Sequence, residues 1–242
     1  MTTEEAQAIA LAEEGEKGRL SVLVIVAALN EEEGVGPTIA ELRKFVARPR
    51  ILVVDGKSCD RTVDIAKDMG VEVICQEGEG KGDAIGSAIR HINVDAHYVI
   101  FTDADYTYPA SYLPTMVRIL ERNPQVGMVC GNRFTEHLDV RALHNLLYFG
   151  NRLLAFSHDI FNGVKLNDPL TGLRIVRAQL LRGWKPKSRG FDVEVELNHY
   201  IERKGYDIVE IPIVYRKRLG EKKLKIKHGA TILKRIVLEA ID

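Results

Sequence analysis

Short apolar runs alternate with amphipathic segments along the first half of the chain. Four of these runs are rich in β-branched residues and predict buried strands, at residues 20–27, 51–55, 71–75 and 99–103. Apolar residues spaced three or four apart predict helices between them, at residues 37–45, 62–69 and 83–91. This strand–helix alternation is typical of an α/β fold, with a largely parallel central sheet and helices on both faces.

The second half of the chain continues the sheet with less regular spacing. Its patterns predict strands at 126–130 and 208–215 and helices at 110–121, 144–156, 178–181, 191–203 and 230–239. Pro212 lies inside the last strand and predicts an edge strand or a bulge. Residues 1–18 form an acidic extension, and no repeat or linker follows, so we expect a single domain over residues 19–242.

Acidic side chains follow three of the predicted strands. Glu31 follows the first strand, Asp55 ends the second, and Asp103 and Asp105 close the fourth. Because ligands of parallel sheets bind beyond the carboxyl ends of the strands, these groups are expected to share one rim. Two carboxylates one residue apart suit Mg²⁺ or Mn²⁺. The alternative for the Asp-x-Asp pair alone is a solvated turn, where Asp is common.

Composition places few limits on function. The formal net charge is zero, which gives no reason to expect nucleic acid binding. The three cysteines show neither a disulfide framework nor zinc-ligand spacing, and a reducing, cytoplasmic setting fits them best. No apolar run approaches the roughly 20 residues that span a bilayer. Charge is uneven, however: residues 216–227 are strongly basic, ahead of the amphipathic helix at 230–239.

Two well-known nucleotide-binding folds match the sequence poorly. Gly78, Gly80 and Gly82 form a glycine-rich loop after the third predicted strand, whereas a Rossmann fingerprint follows the first strand and has different spacing. This argues against a dinucleotide-dependent dehydrogenase. A nucleotidyltransferase is also disfavoured, because no glycine-rich first loop carries a signature Lys or Arg.

With these motifs assembled, the chain resembles the family 2 glycosyltransferases of the GT-A fold, and within them the dolichyl- and polyprenyl-phosphate sugar synthases. The resemblance covers residues 20–238. It is carried by Val-Ala-Ala-Leu-Asn-Glu at 26–31, Val-Val-Asp-Gly-Lys-Ser-Cys-Asp-Arg-Thr at 53–62, Asp-Ala-Asp at 103–105 and Arg-Leu-Gly-Glu-Lys-Lys-Leu at 218–224. Residues 131–134 and 168–174 resemble two further family segments.

The resemblance implies a role for each matching position. Mg²⁺ or Mn²⁺ would be held by Asp103 and Asp105, with Thr107 beside them. The nucleotide-sugar donor would be bound by residues of the first strands and the Asp-x-Asp turn: Ala27, Leu29, Glu31, Val54, Asp55, Asp103, Ala104, Asp105 and Arg133. The catalytic set would be Asp103, Asp105, Arg133, Arg218 and Lys223, with Arg218 and Lys223 on a basic flap that binds phosphate.

The implied reaction is an inverting transfer of a sugar to dolichyl or polyprenyl phosphate at the cytoplasmic face of a membrane. It would serve protein glycosylation or cell-surface glycan synthesis, with peripheral membrane contact through the basic C-terminal region (216–239). Departures from the family motifs leave GDP-mannose, UDP-glucose and UDP-N-acetylglucosamine open as donors. Leu29 replaces the usual aromatic residue of the first motif, Gly56 replaces a second Asp, and Lys222 replaces a Ser.

Structural alternatives exist for most of these residues. Asp55 is also suited to cap the next helix, Glu31 lies in a run of glutamates typical of solvated surface, and Arg133 is of a type that is usually exposed. Asp168 and Arg174 are also suited to pair within a turn. Two other functions remain open: a transferase with a soluble acceptor such as phosphoglycerate, and a nucleotide-sugar binding module without turnover.

Overall fold

The computed structural model describes residues 20–91, 96–134, 165–221 and 227–239. Seven strands form one sheet: β1 Val22–Ala28, β2 Arg50–Asp55, β3 Glu72–Cys75, β4 Tyr98–Asp103, β5 Val126–Asn132, β6 Arg174–Arg177 and β7 Asp207–Pro212. The helices are α1 Val35–Phe45, α2 Thr62–Asp68, α3 Lys81–His91, α4 Leu113–Arg122, α5 Ala178–Leu181, α6 Val193–Arg203 and α7 Lys227–Glu239. A 3₁₀ turn, Ala110–Tyr112, precedes α4.

The sheet has the order β3-β2-β1-β4-β6-β5-β7. Strands β3, β2, β1 and β4 are parallel, as are β5 and β7, while β6 runs antiparallel to both β4 and β5. The mostly parallel sheet is therefore confirmed. Strand β6 is not among the strands that the sequence pattern predicts, because four residues give too little periodicity to reveal a central antiparallel strand.

Two apolar cores cover opposite faces of the sheet. Strand β1 shows the alternation, since Val22, Val24 and Val26 pack in one core and Leu23 and Ile25 in the other. Helices α1, α2 and α4 contribute side chains to the first core, whereas α3, α5 and α6 contribute to the second. Helices on both faces are thus confirmed, and the central strands are buried on both sides.

Strand β7 is the edge strand that Pro212 predicts. Among the described strands it pairs only with β5, through a register irregularity between Val126 and Met128, and it ends at Pro212 rather than continuing to residue 215. The chain then continues as a segment without regular structure at residues 213–221, which we call the strap and which bonds to the turn after β4. The helix predicted at 144–156, the acidic extension and Lys223 lie outside the described residues.

Strand register brings the carboxyl ends of β1, β2 and β4 together. Ala27 is aligned with Val54 on one side and with Asp103 on the other, and the amide of Ala104 donates to the Ala27 carbonyl at 3.1 Å. The three strand ends predicted to meet at one rim therefore do meet there, and the Asp-x-Asp turn starts at that rim.

Candidate active site

The Asp-x-Asp pair lies at the end of β4 and in the turn that follows it. Asp103 is partly exposed, whereas Asp105 is buried. The amide and hydroxyl of Thr107 donate to Asp105 Oδ1 at 3.1 and 2.6 Å. Burial and the charge of Asp103 raise the pKa of Asp105. A cation at this pair would therefore favour the ionised form, and Thr107 supports the carboxylate.

The turn leaves no room for larger side chains around the pair. A Cβ atom at Gly34, just before α1, would overlap the carbonyl oxygen of Ala104. A Cβ atom at Gly172 would come within 2.5 Å of Asp103 Oδ2, and the Gly172 amide donates to the Tyr108 hydroxyl at 2.7 Å. The segment 168–174, singled out by its resemblance to a family motif, thus reaches the Asp-x-Asp pair through its glycine.

Arg218 of the strap joins the Asp-x-Asp pair to the first strand. Its Nη1 atom lies 2.8 Å from Asp105 Oδ2, and its Nη2 atom contacts Glu31 Oε1. Glu31 is buried, and its amide is held at 2.7 Å by the hydroxyl of Thr62. The planar guanidinium fork is well suited to bridge two carboxylates. Two predicted site residues of the rim and one of the flap are therefore in direct contact.

The strap itself is fixed over the Asp-x-Asp turn by backbone and side-chain bonds. The amides of Arg216 and Leu219 donate to the carbonyls of Thr107 and Asp105 at 3.0 and 3.1 Å. The Arg216 guanidinium also bonds both carboxylate oxygens of Glu41, at 2.7 and 2.5 Å. Sequence reasoning missed this anchor, because Glu41 and Arg216 are far apart in the chain and match no motif.

Lys81 is a second site residue that the sequence analysis did not assign. Its Nζ atom lies 2.6 Å from Asp103 Oδ1 and 2.9 Å from Glu194 Oε1. Burial by itself lowers the pKa of Lys81, but the charges of Asp103 and Glu194 outweigh burial and raise it above its ordinary value. The available signal was its place in the glycine-rich loop, after a strand whose carboxyl end meets this rim.

The glycine-rich loop packs closely against neighbouring backbone and thereby positions Lys81. Cβ atoms at Gly80 and Gly82 would overlap the carbonyl oxygens of Arg189 and Ser188, and the Gly82 amide donates to Arg189 at 2.9 Å. Gly80 also has a positive φ of 86°. Only glycine permits this backbone approach, so the loop is held against the segment that leads into α6.

The predicted nucleoside slot lies beside the pair, where β1 meets β2. Asp55 is buried, and its Oδ2 atom accepts the amides of Lys57 and Ser58, both at 3.0 Å. Its Oδ1 atom is buried and has no hydrogen-bond partner among the described residues. Leu29 is exposed and packs over Gly56. Asp55 thus stabilises its own turn with one carboxylate oxygen, and its other oxygen can accept a further hydrogen bond.

Arg133 pairs with a buried carboxylate, and its guanidinium also lies 5.3 Å from the ring centroid of Tyr215. Its Nε and Nη2 atoms bond Asp168 Oδ2 and Oδ1, both at 2.7 Å, and the Asp168 amide donates to Glu210 at 2.7 Å. Arg133 is therefore not the solvated surface residue weighed as an alternative, and its guanidinium is engaged by a buried carboxylate. Its predicted role toward phosphate stays a prediction.

Asp168 and Arg174 do not form the turn pair considered from the sequence. Arg174 is buried and donates instead to Asn198 Oδ1 and to the carbonyls of Thr171 and Pro169, the last two at 2.8 and 2.6 Å. The turn pair was considered because turns favour Asp. In the structure Asp168 binds Arg133 instead, and the Arg174 guanidinium satisfies buried acceptor oxygens.

The donor set of the Asp-x-Asp pair fits a hard divalent cation. Both residues supply carboxylate oxygens, the type of ligand that Mg²⁺ and Mn²⁺ prefer. Within the described ranges, no group of three or more Asp, Glu, His or Cys side chains is arranged to hold a metal. A cation held by Asp103 and Asp105 would have ligand positions left for other oxygens. In the structure, Lys81 and Arg218 pair with these two carboxylates.

Comparison with known proteins agrees with this geometry. Residues 23–183 match the model of glycosyl transferase family 2. The chain is 35% identical over 223 residues to a dolichyl-phosphate hexose transferase of Haloferax volcanii, covering 90% of this chain and 93% of that protein. It is 29% identical over 220 residues to an undecaprenyl-phosphate mannosyltransferase of Micrococcus luteus, covering 85% and 88% of the two chains.

Among solved structures, the chain is similar to glucosyl-3-phosphoglycerate synthase from Mycobacterium tuberculosis in complex with Mn²⁺, UDP-glucose and phosphoglyceric acid. The TM-score is 0.73 at 21% identity, with 99% of this chain and 84% of that chain covered. At this identity the likeness supports the fold, and the sequence relatives support the activity class. The chain belongs to glycosyl transferase family 2 and is a glycosyltransferase of the GT-A fold.

Proposed function

We propose that this enzyme transfers a hexose, with inversion, from a nucleotide diphosphate sugar to the phosphate of a dolichyl or polyprenyl lipid. The observation that carries the proposal is the position of Arg218. This residue opens the Arg-x-Gly-Glu-x-Lys-Leu motif that resembles the lipid-phosphate synthases, and its guanidinium lies 2.8 Å from the Asp105 carboxylate. The group that we propose binds the acceptor phosphate therefore lies beside the carboxylates that are predicted to hold the metal.

The named relatives support the acceptor class. The Haloferax volcanii protein acts on dolichyl phosphate and the Micrococcus luteus protein on undecaprenyl phosphate, according to their names. A lipid monophosphate is already an anionic nucleophile at neutral pH, so no dedicated general base is required. Catalysis then consists mainly of positioning and electrostatic stabilisation of the leaving diphosphate.

Each part of the site has a role in that reaction. Asp103 and Asp105 would hold Mg²⁺ or Mn²⁺, which supplies Lewis-acid neutralisation of the diphosphate when bound. Glu31 and Asp55 would contact the nucleoside from the ends of β1 and β2. Arg218 would exchange its carboxylate partners for phosphate oxygens when substrate enters. Lys223, outside the described residues, is proposed to assist it on the flap.

Helix α7 supports a membrane-surface location for this chemistry. Its buried residues Ile232 and Ile236 pack with Val195 of α6. Its outer surface carries the exposed apolar residues Leu233, Val237 and Leu238. An exposed apolar stripe near basic sequence is typical of interfacial helices. Among the described helices, none is long and apolar enough to cross a bilayer.

A radiolabelled transfer assay with Mn²⁺ tests the proposal. GDP-mannose, UDP-glucose and UDP-N-acetylglucosamine are each offered with dolichyl phosphate, with 3-phosphoglycerate or without acceptor. We expect label in the organic phase for one donor, only with Mn²⁺ or Mg²⁺ and only with the lipid phosphate. Label in a water-soluble phosphoglycerate product would overturn the acceptor assignment, and metal-dependent donor binding without transfer to either acceptor would support a binding module.

A further inference from the structure

Beyond the residues that the family motifs single out, one buried acid lies behind the Asp-x-Asp pair. Glu194, in the first turn of α6, is buried, and among the described residues it contacts the site through Lys81. Its Oε1 atom accepts Lys81 at 2.9 Å, while its Oε2 atom is buried with no hydrogen-bond partner among the described residues. Buried carboxylate oxygens are normally satisfied, so Glu194 has capacity for a further bond.

The ammonium group of Lys81 is shared between two carboxylates. The 2.6 Å contact to Asp103 and the 2.9 Å contact to Glu194 leave one positive charge between two negative charges. A cation that takes an oxygen of Asp103 competes with Lys81 for that carboxylate. Glu194 supplies an alternative anchor for the displaced ammonium, and its unused oxygen permits a second contact.

Backbone hydrogen bonds hold Lys81 and Glu194 close to each other. The Gly82 and Asp83 amides, which follow Lys81, donate to the Arg189 carbonyl at 2.9 and 3.3 Å. Residues 188–190 lead directly into α6, which carries Glu194. Lys81 and Glu194 are thus carried by elements that contact each other through their backbones, so the two side chains are held near each other.

We propose that Glu194 is a positioning residue that holds Lys81 partly away from Asp103, and so leaves Asp103 available to a divalent cation. The inference rests on the proposed metal-dependent function. Without the Glu194 charge, the ammonium would pair with Asp103 alone, and the ion would have to displace a complete salt bridge. Glu194 would then act on cation affinity without contacting cation or substrate.

The test measures Mn²⁺ binding to the full chain by calorimetry, without nucleotide or acceptor, so it does not depend on turnover. We expect Glu194→Gln to raise the Kd for Mn²⁺ by about tenfold, since an isosteric amide keeps the packing and loses the charge. The matched control is Glu196→Gln on the same helix, a buried acid that binds the amides of Lys187 and Ser188 instead of Lys81. It should leave the Kd within about twofold.

A double-mutant cycle separates action through Lys81 from other effects. In a Lys81→Met background, Glu194→Gln should no longer change the Kd, because the ammonium that it positions is absent. A full tenfold effect in that background would show direct electrostatics and overturn the proposal. An unchanged Kd in Glu194→Gln alone, with or without a lower Tm, would also overturn it by leaving only a structural role.

Two further outcomes distinguish a failure of the Glu194 proposal from a failure of the proposed metal-dependent function. If wild type binds Mn²⁺ and transfers sugar but Glu194→Gln behaves like wild type, only the inference fails. If wild type binds no Mn²⁺, the metal-dependent function fails and the inference with it. Should Glu194→Gln not fold, Glu194→Asp replaces it in the double-mutant cycle. Its shorter carboxylate should raise the Kd for Mn²⁺ in the wild-type background and leave it unchanged in the Lys81→Met background.

Discussion

At the scale of single residues, the site is a set of carboxylates balanced by side-chain cations. Lys81 pairs with Asp103, and Arg218 pairs with both Asp105 and Glu31. Buried carboxylates without such partners would cost free energy or take up protons. The protein thus stabilises, with its own lysine and arginine, the charges that we propose a cation and a substrate use.

Arg218→Ala tests the strap residue that contacts two site carboxylates. We expect transfer to lipid phosphate to fall by about 100-fold, because a charge-assisted fork is lost, while donor affinity changes by no more than a few-fold. The measurement is kcat and KM for dolichyl phosphate at saturating donor. Lys217→Ala removes an exposed charge one residue away and should retain normal kinetics. Equal loss in both variants would mean that Arg218 acts only through the net charge of the strap.

Thiol chemistry provides a separate check on burial. Cys59 and Cys75 are exposed, whereas Cys130 is buried in β5, where burial raises the pKa of its thiol to about 12. Since the thiolate is the reactive form, we expect two thiols to react with Ellman's reagent in the native protein at pH 8. The third should react only in denaturant. Three fast thiols would contradict the position of β5 in the core.

At the scale of elements, the glycine-rich loop shows what sequence reasoning can and cannot provide. Strand β4 and its acidic end were predictable, because a β-branched run followed by Asp-x-Asp is a local signal. The role of Lys81 was not, since it depends on a backbone contact with residues more than 100 positions away. The same holds for Arg216 and Glu41, whose pairing is a property of the assembled fold.

Strand β6 is an element of the fold that local sequence signals could not predict. Its neighbours β4 and β5 were predicted from their own apolar runs, but its central antiparallel place follows from pairing on both edges. Propensity over four residues carries little information against such tertiary contacts. The parallel half of the sheet was predicted well because each of its strands is separated from the next by a helix.

Gly82→Ala tests the packing of the glycine-rich loop. The added Cβ would overlap the Ser188 carbonyl, so we expect the free energy of unfolding to fall by about 1–3 kcal/mol, together with a loss of transfer as Lys81 moves. Urea unfolding followed by circular dichroism measures the change. Gly229→Ala is the control, since its Cβ meets nothing within 4 Å in helix α7, and it should raise stability by up to about 1 kcal/mol. A destabilised Gly229→Ala together with a neutral Gly82→Ala would refute this packing.

At the scale of the whole molecule, we propose that the strap and α7 bring a lipid acceptor to the rim that binds the donor. The strap crosses the Asp-x-Asp turn, and the chain continues into α7, whose inner residues pack on α6. The chain as a whole has zero formal net charge, although its C-terminal region is basic. Membrane attraction would therefore come from a local surface and not from overall charge.

Vesicle binding tests that surface. The double variant Leu233→Glu with Val237→Glu replaces two exposed apolar side chains of α7 and should reduce co-sedimentation with anionic vesicles by at least about fivefold. Lys67→Glu on α2 produces the same change in net charge on another exposed site and should bind as wild type does. Equal loss in both proteins would indicate general electrostatics, and no loss in the α7 variant would exclude this face.

The most direct test of the account is donor binding by the Asp-x-Asp pair. Calorimetry of UDP- and GDP-sugars is performed with wild type and Asp105→Asn, each with Mn²⁺ and with EDTA. The Asn variant keeps the acceptor oxygen for Thr107 and loses the charge. We predict that wild type binds one donor only with Mn²⁺, and that Asp105→Asn weakens this binding at least about 30-fold. Donor binding by wild type that is the same with EDTA, or that Asp105→Asn leaves unchanged, would contradict the account.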